Sequence, residues 1–354
     1  MLFLADLPYP LHGMSNVNKK MLEKLKFHCD DVKVINTSPS YFSKYFNTKL
    51  WVACKIIHSI IVFAKLFNFF IKGERIVYRP IMGGIGQVYD CIYLLLARIF
   101  RARIVLHHHS FQYLNEKKRL FSFLKFIAGP DAEHVLLGPE MLLPLNKYYA
   151  IREGQCVVVS NLCFFDVENV DVRVNATVTI GHLANLCYDK GVDYFCSLYE
   201  VSEKNAGHFK FVVAGPYADK ETKALIEASI SNNFEYHGPL YGEAKDIFYN
   251  GLDVFLFMSK YKNEAEPLVL YEAAQQGAFL IGTNRGCMAS VIEKFGGLVV
   301  NPEQINMQEL YALIEEKRKN GCFGFAQKKT RSQIFKRIKS EGDKVLDELI
   351  ASFT

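Results

Sequence analysis

Three glutamates stand close together in the last third of the chain, where an apolar segment gives way to a polar loop. Residues 254–258 read V-F-L-F-M, and Glu264, Glu266 and Glu272 follow them. Pro267 suits the first turn of a helix, so the pattern predicts a strand, a loop that holds Glu264, and a helix that carries Glu272. The free N–H groups at a helix start suit a diphosphate, and a nearby carboxylate can accept two hydrogen bonds from a sugar diol. The alternative interpretation is that these glutamates are solvated surface charges, because the spacing alone is weak evidence.

Three consecutive histidines form a second candidate group. His107, His108 and His109 follow the apolar residues 104–106 at the end of a predicted strand. Side chains alternate along a strand, so His107 and His109 are expected on one face and His108 on the other. A metal site built from all three is therefore not expected. The alternative interpretation is a polar strand end without a chemical role.

Two glycine-containing loops complete the candidates. Gly13, in the segment 8–15 between the first predicted strand and helix, could let a backbone N–H approach a phosphate or a sugar, although an ordinary turn explains it equally well. The segment 83–86 reads G-G-I-G and is an incomplete version of the dinucleotide-binding fingerprint, so we interpret it as a loop and expect no nicotinamide cofactor. The chain has no D-x-D metal signature and no G-x-S-x-G nucleophile elbow.

The elements that must position these residues alternate along both halves of the chain. The first half predicts strands at 3–5, 32–36, 75–78, 103–107, 134–137 and 156–159, and helices at 16–27, 50–71 and 89–100. The second half predicts strands at 178–181, 210–215, 234–237, 254–258, 279–282 and 298–300, and helices at 192–203, 225–232, 268–276, 309–319 and 327–353. Strands that alternate with helices indicate parallel βαβ units. We therefore expect two doubly wound α/β domains that face a cleft, with a seam between Asn161 and Val174 and ligands beyond the carboxyl ends of the strands.

Composition excludes several classes of protein. A chain of 354 residues that is 50% hydrophobic is neither disordered nor too small for a core, and its length suggests about two domains. The net charge of +5, from 42 basic and 37 acidic residues, is too slight to favour nucleic-acid binding. Nine cysteines without a C-x-x-C pair favour reduced thiols in the cytoplasm over disulfides or a zinc site.

Contact with a membrane is a separate question. No signal peptide is evident, and the most apolar stretch, Leu50–Ile71, is interrupted by Lys55 and Lys65, so we expect no spanning helix. Two segments could instead touch an anionic membrane surface: residues 51–72 and the basic C-terminal helix. The alternative is a core helix and a solvated helix face.

The residues around the glutamates resemble the retaining glycosyltransferases of family 4. Residues 264–273 read E-A-E-P-L-V-L-Y-E-A, similar to the family frame E-G-F-P-L-V-x-x-E-A with its E-x7-E signature. Further matches in the same order are I-G-H-L through D-K-G-V-D at 180–193, F-V-V-A-G at 211–215, H-G at 237–238, G-L-D-V-F at 251–255 and F-L-I-G-T-N-R-G at 279–286. The N-terminal half matches more weakly, and V-V-S-N at 158–161 resembles the end of the family's first domain.

This resemblance implies a GT-B architecture and a role for each candidate residue. Residues 1–165 would form an acceptor-binding Rossmann-like domain, 166–335 a nucleotide-sugar domain, and 336–354 a C-terminal helix that packs back on the first domain. The implied catalytic residues are Glu264, Lys190 and His109, and the implied substrate-binding residues are Gly13, His107, His182, Leu268, Val269 and Glu272. The resemblance places Lys190 beside the diphosphate, Glu264 at the donor sugar, and His109 ahead of His107 near the transferred sugar.

The implied activity is transfer of a sugar from a nucleotide-diphosphate sugar to a carbohydrate acceptor, which could be lipid-linked, with retention of configuration. The setting would be bacterial capsule, exopolysaccharide or lipopolysaccharide assembly in the cytoplasm or at the inner face of its membrane. Neither a cofactor nor a metal is expected. His182, where the family has arginine, supplies less phosphate charge unless it is protonated, and Ala265 and Glu266 also depart from the family frame. A nucleotide-sugar epimerase or a non-catalytic sugar-nucleotide or glycan-binding module remains as the alternative.

Overall fold

The protein is described here from a computed structural model that covers residues 1–10, 13–46, 48–167, 171–173, 175–205 and 207–353. It divides into two compact units. Unit 1 comprises Met1–Phe165 together with Glu341–Thr354, and unit 2 comprises Asp166–Ser340. Part of the predicted seam, residues 168–170 and 174, lies outside the described residues.

Unit 1 contains a six-stranded sheet in which every neighbouring pair of strands is parallel. Its elements are β1 (Leu2–Ala5), α1 (Gly13–His28), β2 (Lys33–Asn36), α2 (Lys49–Ile71), β3 (Ile76–Ile81), α3 (Gln87–Ile99), β4 (Arg103–His108), α4 (Arg119–Ala128), β5 (Glu133–Leu136), α5 (Leu142–Tyr149) and β6 (Cys156–Val158). The strand order is β2-β1-β3-β4-β5-β6. Each helix that follows a strand is thus a crossover that returns the chain to start the next parallel strand.

Unit 2 contains a second six-stranded parallel sheet. Its elements are β7 (Thr179–Leu183), α6 (Val192–Lys204), β8 (Lys210–Ala214), α7 (Lys220–Ser229), β9 (Phe234–Tyr236), α8 (Glu243–Asn250), β10 (Val254–Phe257), α9 (Leu268–Gln275), β11 (Phe279–Thr283), α10 (Met288–Lys294), β12 (Leu298–Val300), α11 (Met307–Lys319) and α12 (Phe325–Ala351). The order β12-β11-β10-β7-β8-β9 is the Rossmann order. The predicted α/β class with two doubly wound sheets is confirmed.

The twelve predicted strands are present within a few residues of their expected positions, but the helices were predicted less completely. Four short helices, α4, α5, α8 and α10, were not expected. Helix α7 begins five residues before the predicted start at residue 225, because the side chain of Asp219 caps it by accepting a hydrogen bond from the Thr222 amide at 2.7 Å. Continuous apolar runs are a clear signal for buried strands, whereas a helix of only seven to ten residues spans too few turns for its period to be recognised in the sequence.

The last helix is fixed at both ends by polar contacts. At its start in unit 2, Lys328 is fully buried, and its Nζ donates to the Leu252 carbonyl at 2.8 Å and contacts Asp253 Oδ1 at 3.2 Å. Burial lowers the pKa of the Lys328 ammonium, while the charge of Asp253 opposes that shift. At its end in unit 1, Arg103 Nη2 donates to the Ser352 hydroxyl at 3.0 Å.

We predict that Lys328→Met destabilises unit 2 by about 3 kcal/mol, because it leaves the carboxylate of Asp253 buried without its cation. Scanning calorimetry measures the change. Lys329→Met is the matched control, since Lys329 is exposed on the next position of the same helix. Equal melting temperatures for the two variants would contradict the structural role of the buried pair.

Candidate functional site

The strand order of unit 2 creates a switch point between β7 and β10. From β7 the chain continues outwards to β8 and β9, and from β10 it continues the other way to β11 and β12. The helical crossovers that follow β7 and β10 therefore leave in opposite directions, and such a switch point at the carboxyl edge is where open α/β sheets bind ligands. The loop after β7 carries Lys190 and the loop after β10 carries Glu264.

An ion pair joins the two loops at this switch point. Lys190 Nζ lies 2.6 Å from Glu264 Oε2, and the Ser259 hydroxyl donates to the same oxygen at 2.9 Å. The Lys190 ammonium also lies 5.2 Å from the centre of the Tyr261 ring. Both charged side chains are largely buried, with 25% of Lys190 and 11% of Glu264 exposed. Two predicted residues from distant parts of the chain are thus in direct contact.

Backbone contacts hold these two loops together. The carbonyl of Asp189 accepts hydrogen bonds from the amides of Lys260 at 2.8 Å and Tyr261 at 3.1 Å. Gly191 has a φ of +81°, and a Cβ there would lie 2.2 Å from the Met258 carbonyl oxygen. Only glycine fits this close approach without a shift of the backbone. The glycine that follows Lys190 thus lets the two loops pack tightly enough for the ion pair to form.

Glu272 lies one turn inside α9 and is held by two partners. Lys245 Nζ lies 2.5 Å from Oε1, and the Tyr249 hydroxyl donates to Oε2 at 2.8 Å. Both partners belong to α8, which the sequence analysis did not predict, so this support was missed. A carboxylate has about four acceptor positions, so Glu272 can accept further hydrogen bonds from a diol while it keeps both partners.

Helix α9 begins at Leu268, after the buried Pro267. Leu268 and Val269 are half-buried in its first turn, where backbone amides have no intrahelical acceptor. Glu266 points elsewhere in this loop, since the Tyr271 hydroxyl donates to its Oε1 at 2.5 Å within a buried environment. Of the three glutamates, Glu264 and Glu272 thus flank the start of the helix, and Glu266 has a local structural partner.

His182 lies inside β7 and is fully buried. Its Nδ1 is 2.9 Å from the Leu256 carbonyl oxygen, and its ring stacks on Phe257 with centroids 5.9 Å apart. Burial lowers the pKa of His182 to about 4, so the ring is neutral near pH 7. The suggestion that a protonated His182 replaces the family's arginine beside a diphosphate is therefore not supported.

Unit 1 has its own switch point, between β1 and β3, and a polar cavity lies there. The cavity has a volume of about 70 Å³, and Asp6, Lys55, Arg79 and Asp90 are among its lining residues. The buried Arg79 forms an ion pair with Asp90 at 2.6 Å and donates to the Leu4 carbonyl at 3.0 Å. Lys55 Nζ lies 3.7 Å from Asp6 Oδ2. Charged groups of both signs thus converge at the carboxyl edge of this sheet.

The three histidines alternate as predicted. His107 and His109 share a face, with ring centroids 4.0 Å apart, and His107 Nδ1 is 2.7 Å from the Tyr78 hydroxyl. His108 points the other way, and its Nε2 is 2.9 Å from His134 Nδ1. Because His107 is fully buried and His109 only half-buried, His109 is the more accessible of the two.

The remaining expectations concern Gly13 and metals. Gly13 is exposed and is the first residue of α1, while its neighbours Leu11 and His12 lie outside the described residues. Within the described part of the chain, no three histidine, cysteine or acidic side chains are grouped as metal ligands would be.

Comparison with known proteins supports the resemblance. Residues 171–336 match the family model for Glycosyl transferases group 1. This match covers the β7 and β10 loops, α8 and α9, and so includes Lys190, Glu264 and Glu272. No curated protein matches the chain in sequence.

Solved structures with similar folds extend over the whole chain. The Anabaena protein HepE in complex with UDP has a TM-score of 0.73 at 14% identity, with 99% of each chain covered. Sucrose-phosphate synthase from Thermosynechococcus elongatus has a TM-score of 0.72 at 12% identity, again with 99% of each chain covered. The lipopolysaccharide outer core galactosyltransferase WaaB has a TM-score of 0.71 at 13% identity, with 100% of this chain and 99% of the other covered. The predicted GT-B fold is confirmed.

Four histidines of unit 1, of which His107, His108 and His134 are buried and His109 is half-buried, make its stability depend on pH. Burial lowers the pKa of His109 to about 3 and of His134 to about 4, and it also lowers the pKa values of His107 and His108. Below the ordinary value of about 6.5 the unfolded chain binds protons that the folded unit does not, so stability falls with acid. Each neutral histidine contributes up to about 1.4 kcal/mol per pH unit.

We predict that the denaturant midpoint of unit 1 falls as the pH is lowered from 7 to 5. The single tryptophan, Trp51, is buried in unit 1, so its fluorescence reports this transition. His134→Gln, which removes one titrating group, should reduce the slope of midpoint against pH. A midpoint that does not change over this range would contradict the prediction.

Proposed function

We propose that the chain is a retaining glycosyltransferase that moves a sugar from a nucleotide-diphosphate sugar to a carbohydrate acceptor. The observation that carries this proposal is the contact of 2.6 Å between Lys190 and Glu264 at the switch point of unit 2. A cation and a carboxylate side by side suit a donor that presents an anionic diphosphate next to sugar hydroxyls. The family match over residues 171–336 and the GT-B fold support the same activity.

The donor would bind at the switch point of unit 2. Glu272, held by Lys245 and Tyr249, would accept hydrogen bonds from the ribose diol, and the first-turn amides of Leu268 and Val269 would face the diphosphate. HepE, one of the similar solved proteins, is in complex with UDP in one crystal structure and with UDP-glucose in another. A uridine diphosphate sugar is therefore the first donor to test.

Lys190 would act on the leaving group. An ammonium has three N–H donors, and its contact with Glu264 uses one of them. The others can reach diphosphate oxygens, where negative charge grows as the bond from the anomeric carbon to the phosphate oxygen breaks. The acceptor oxygen then bonds to the same face of that carbon, and its proton passes to the departing phosphate. Glu264 would contact the sugar hydroxyls, and neither a metal nor a separate general base is assigned.

The acceptor would bind to unit 1. The polar cavity at its switch point offers Asp6 and Lys55, and His109 is the accessible member of the histidine group at the end of β4. Gly13 at the start of α1 and the buried His107 would complete the acceptor site. We place the reaction in the assembly of a bacterial capsule, exopolysaccharide or lipopolysaccharide on the cytoplasmic side. One similar structure is a lipopolysaccharide galactosyltransferase, which supports this setting.

We predict that Glu272→Ala weakens binding of UDP by about ten- to a hundredfold, since it removes a charged acceptor for the ribose hydroxyls. Titration calorimetry with uridine, guanosine, adenosine and cytidine diphosphates measures the affinity and identifies the base. Glu293→Ala, an exposed glutamate of α10, is the control and should bind as the parent does. If the Glu272 variant binds UDP as tightly as the parent does, the assignment of Glu272 to the nucleotide site is wrong.

We predict that Lys190→Ala lowers turnover by about a hundredfold or more while UDP affinity changes less, because its charge is needed most as the diphosphate departs. Release of UDP from UDP-glucose, with and without bacterial glycan acceptors, measures turnover. Lys262→Ala is the control, as Lys262 is exposed on the same loop as Glu264. Epimerised donor formed without an acceptor would favour the epimerase instead, and nucleotide binding without any turnover would favour the binding module.

A further inference from the structure

Exposed apolar side chains are concentrated on three neighbouring helices of unit 1. Helix α3 packs against both α2 and α4. The exposed large apolar residues of these helices are Leu50, Val52, Ile56, Ile57, Ile60, Ile61, Phe63, Phe67 and Ile71 on α2, Val88, Ile92, Leu95 and Ile99 on α3, and Phe123 and Phe126 on α4. We call this surface the α2–α4 face. Apolar patches of this extent on soluble proteins mark sites of interaction.

The α2–α4 face carries almost no negative charge. Helices α2 and α4 contain no acidic residue, and the single one in α3, Asp90, is buried and paired with Arg79. Apart from Lys55, which faces Asp6 in the polar cavity, the basic residues of the three helices are Lys49, Lys65, Arg98, Arg119 and Lys125, and Lys72 and Arg101 follow α2 and α3. A surface that is both apolar and cationic is complementary to an anionic lipid surface. Two copies of the same cationic face would repel one another, which disfavours self-association through it.

Helix α2 is long and apolar enough to cross a membrane by length and composition alone, with a mean hydropathy of 1.8 in its most apolar window, of which 22% is buried. The lysines that interrupt its sequence predict that α2 does not span a membrane, and its packing supports that expectation. His58, Val62, Leu66 and Phe70 recur at four-residue intervals and form its buried stripe. His58 Nε2 is also 2.9 Å from the Asn36 carbonyl oxygen.

The topology adds a second argument against spanning. Helix α2 is the crossover between β2 and β3, and both strands pair with β1. The helix must therefore lie along the sheet of unit 1, with one stripe packed inwards and the rest of its surface outwards. Such a helix can lie in the plane of a membrane interface but cannot cross the bilayer while the sheet remains intact.

The C-terminal helix, the other segment considered for membrane contact, does not offer a comparable surface. Three of its basic residues, Lys328, Arg331 and Lys339, are buried. Arg331 Nε donates to the Gly277 carbonyl at 2.8 Å. Much of the positive charge of α12 is thus used inside the fold.

We propose that the α2–α4 face docks on an anionic lipid bilayer, with α2 lying in the interface plane. The apolar side chains of the three helices enter the boundary between headgroups and acyl chains, and the surrounding lysines and arginines contact anionic headgroups. This contact is independent of the donor site, since every residue of the face lies in unit 1. It places the enzyme where lipid-linked acceptors are found, and to that extent complements the proposed function.

The test is sedimentation of the full-length protein with vesicles of phosphatidylcholine alone or with about one third phosphatidylglycerol. The parent should bind the anionic vesicles at least tenfold more strongly, and raised salt should weaken that binding. Ile60→Asp should reduce it at least tenfold, since Ile60 is 67% exposed and reaches outwards. Ile230→Asp, an exposed isoleucine of unit 2, is the matched control and should bind as the parent does.

Several results would overturn the proposal. Equal sedimentation with both vesicle types, or equal binding by the parent and the Ile60 variant, would exclude docking through this face. A parent dimer that Ile60→Asp converts to a monomer without any vesicle binding would make the face a self-association surface. Resistance of the bound protein to alkaline carbonate would indicate a spanning helix instead. The affinity of the Ile60 variant for UDP is measured in parallel. Unchanged UDP affinity together with lost vesicle binding shows that the docking face and the donor site fail or succeed independently.

Discussion

The parallel pairing of both sheets is the constraint on which the rest of the structure depends. Parallel strands need crossover connections, so the chain must return over a face of the sheet after each strand, and every strand ends at the same edge. Where crossovers leave two adjacent strands in opposite directions, the loops that follow those strands begin side by side at the same edge. In unit 2 this happens between β7 and β10, and the loops there carry Lys190 and Glu264. The catalytic candidates meet because of strand order, although they are far apart in the chain.

The sequence could predict the elements that bear the site better than the contacts within it. The apolar run 254–258 and Pro267 were sufficient to place a strand, a loop and a helix around Glu264 and Glu272, and the observed bounds of β10 and α9 agree. The partners of Glu272 were missed because they lie on α8, a helix of only eight residues. A short element gains its structure from tertiary packing, which a single sequence does not display.

For the histidines, the sequence predicts the direction of the side chains better than their protonation. Strand alternation predicted correctly that His107 and His109 share a face, because the alternation follows from backbone geometry alone. The protonation of His182 depended on its surroundings, and these are an apolar interior with Phe257 and a backbone carbonyl. Desolvation lowers the pKa of such a ring, so His182 does not serve as a weaker substitute for the positive charge that the resemblance implies at this position.

For helix α2, too, the sequence does not reveal which environment surrounds the side chains. Its length and hydropathy are compatible with a spanning helix, a core helix and an interfacial helix alike. Two features separate them. The pairing of β1 with both β2 and β3 requires the helix to lie along the sheet, which is incompatible with spanning. Its outward apolar residues, together with those of α3 and α4 and the absence of acidic side chains from α2 and α4, are incompatible with an ordinary core helix. The interpretation consistent with both features is an interfacial helix. One stripe of α2 packs on the sheet, its outward apolar residues contact lipid, and the positive charge around it favours an anionic lipid surface.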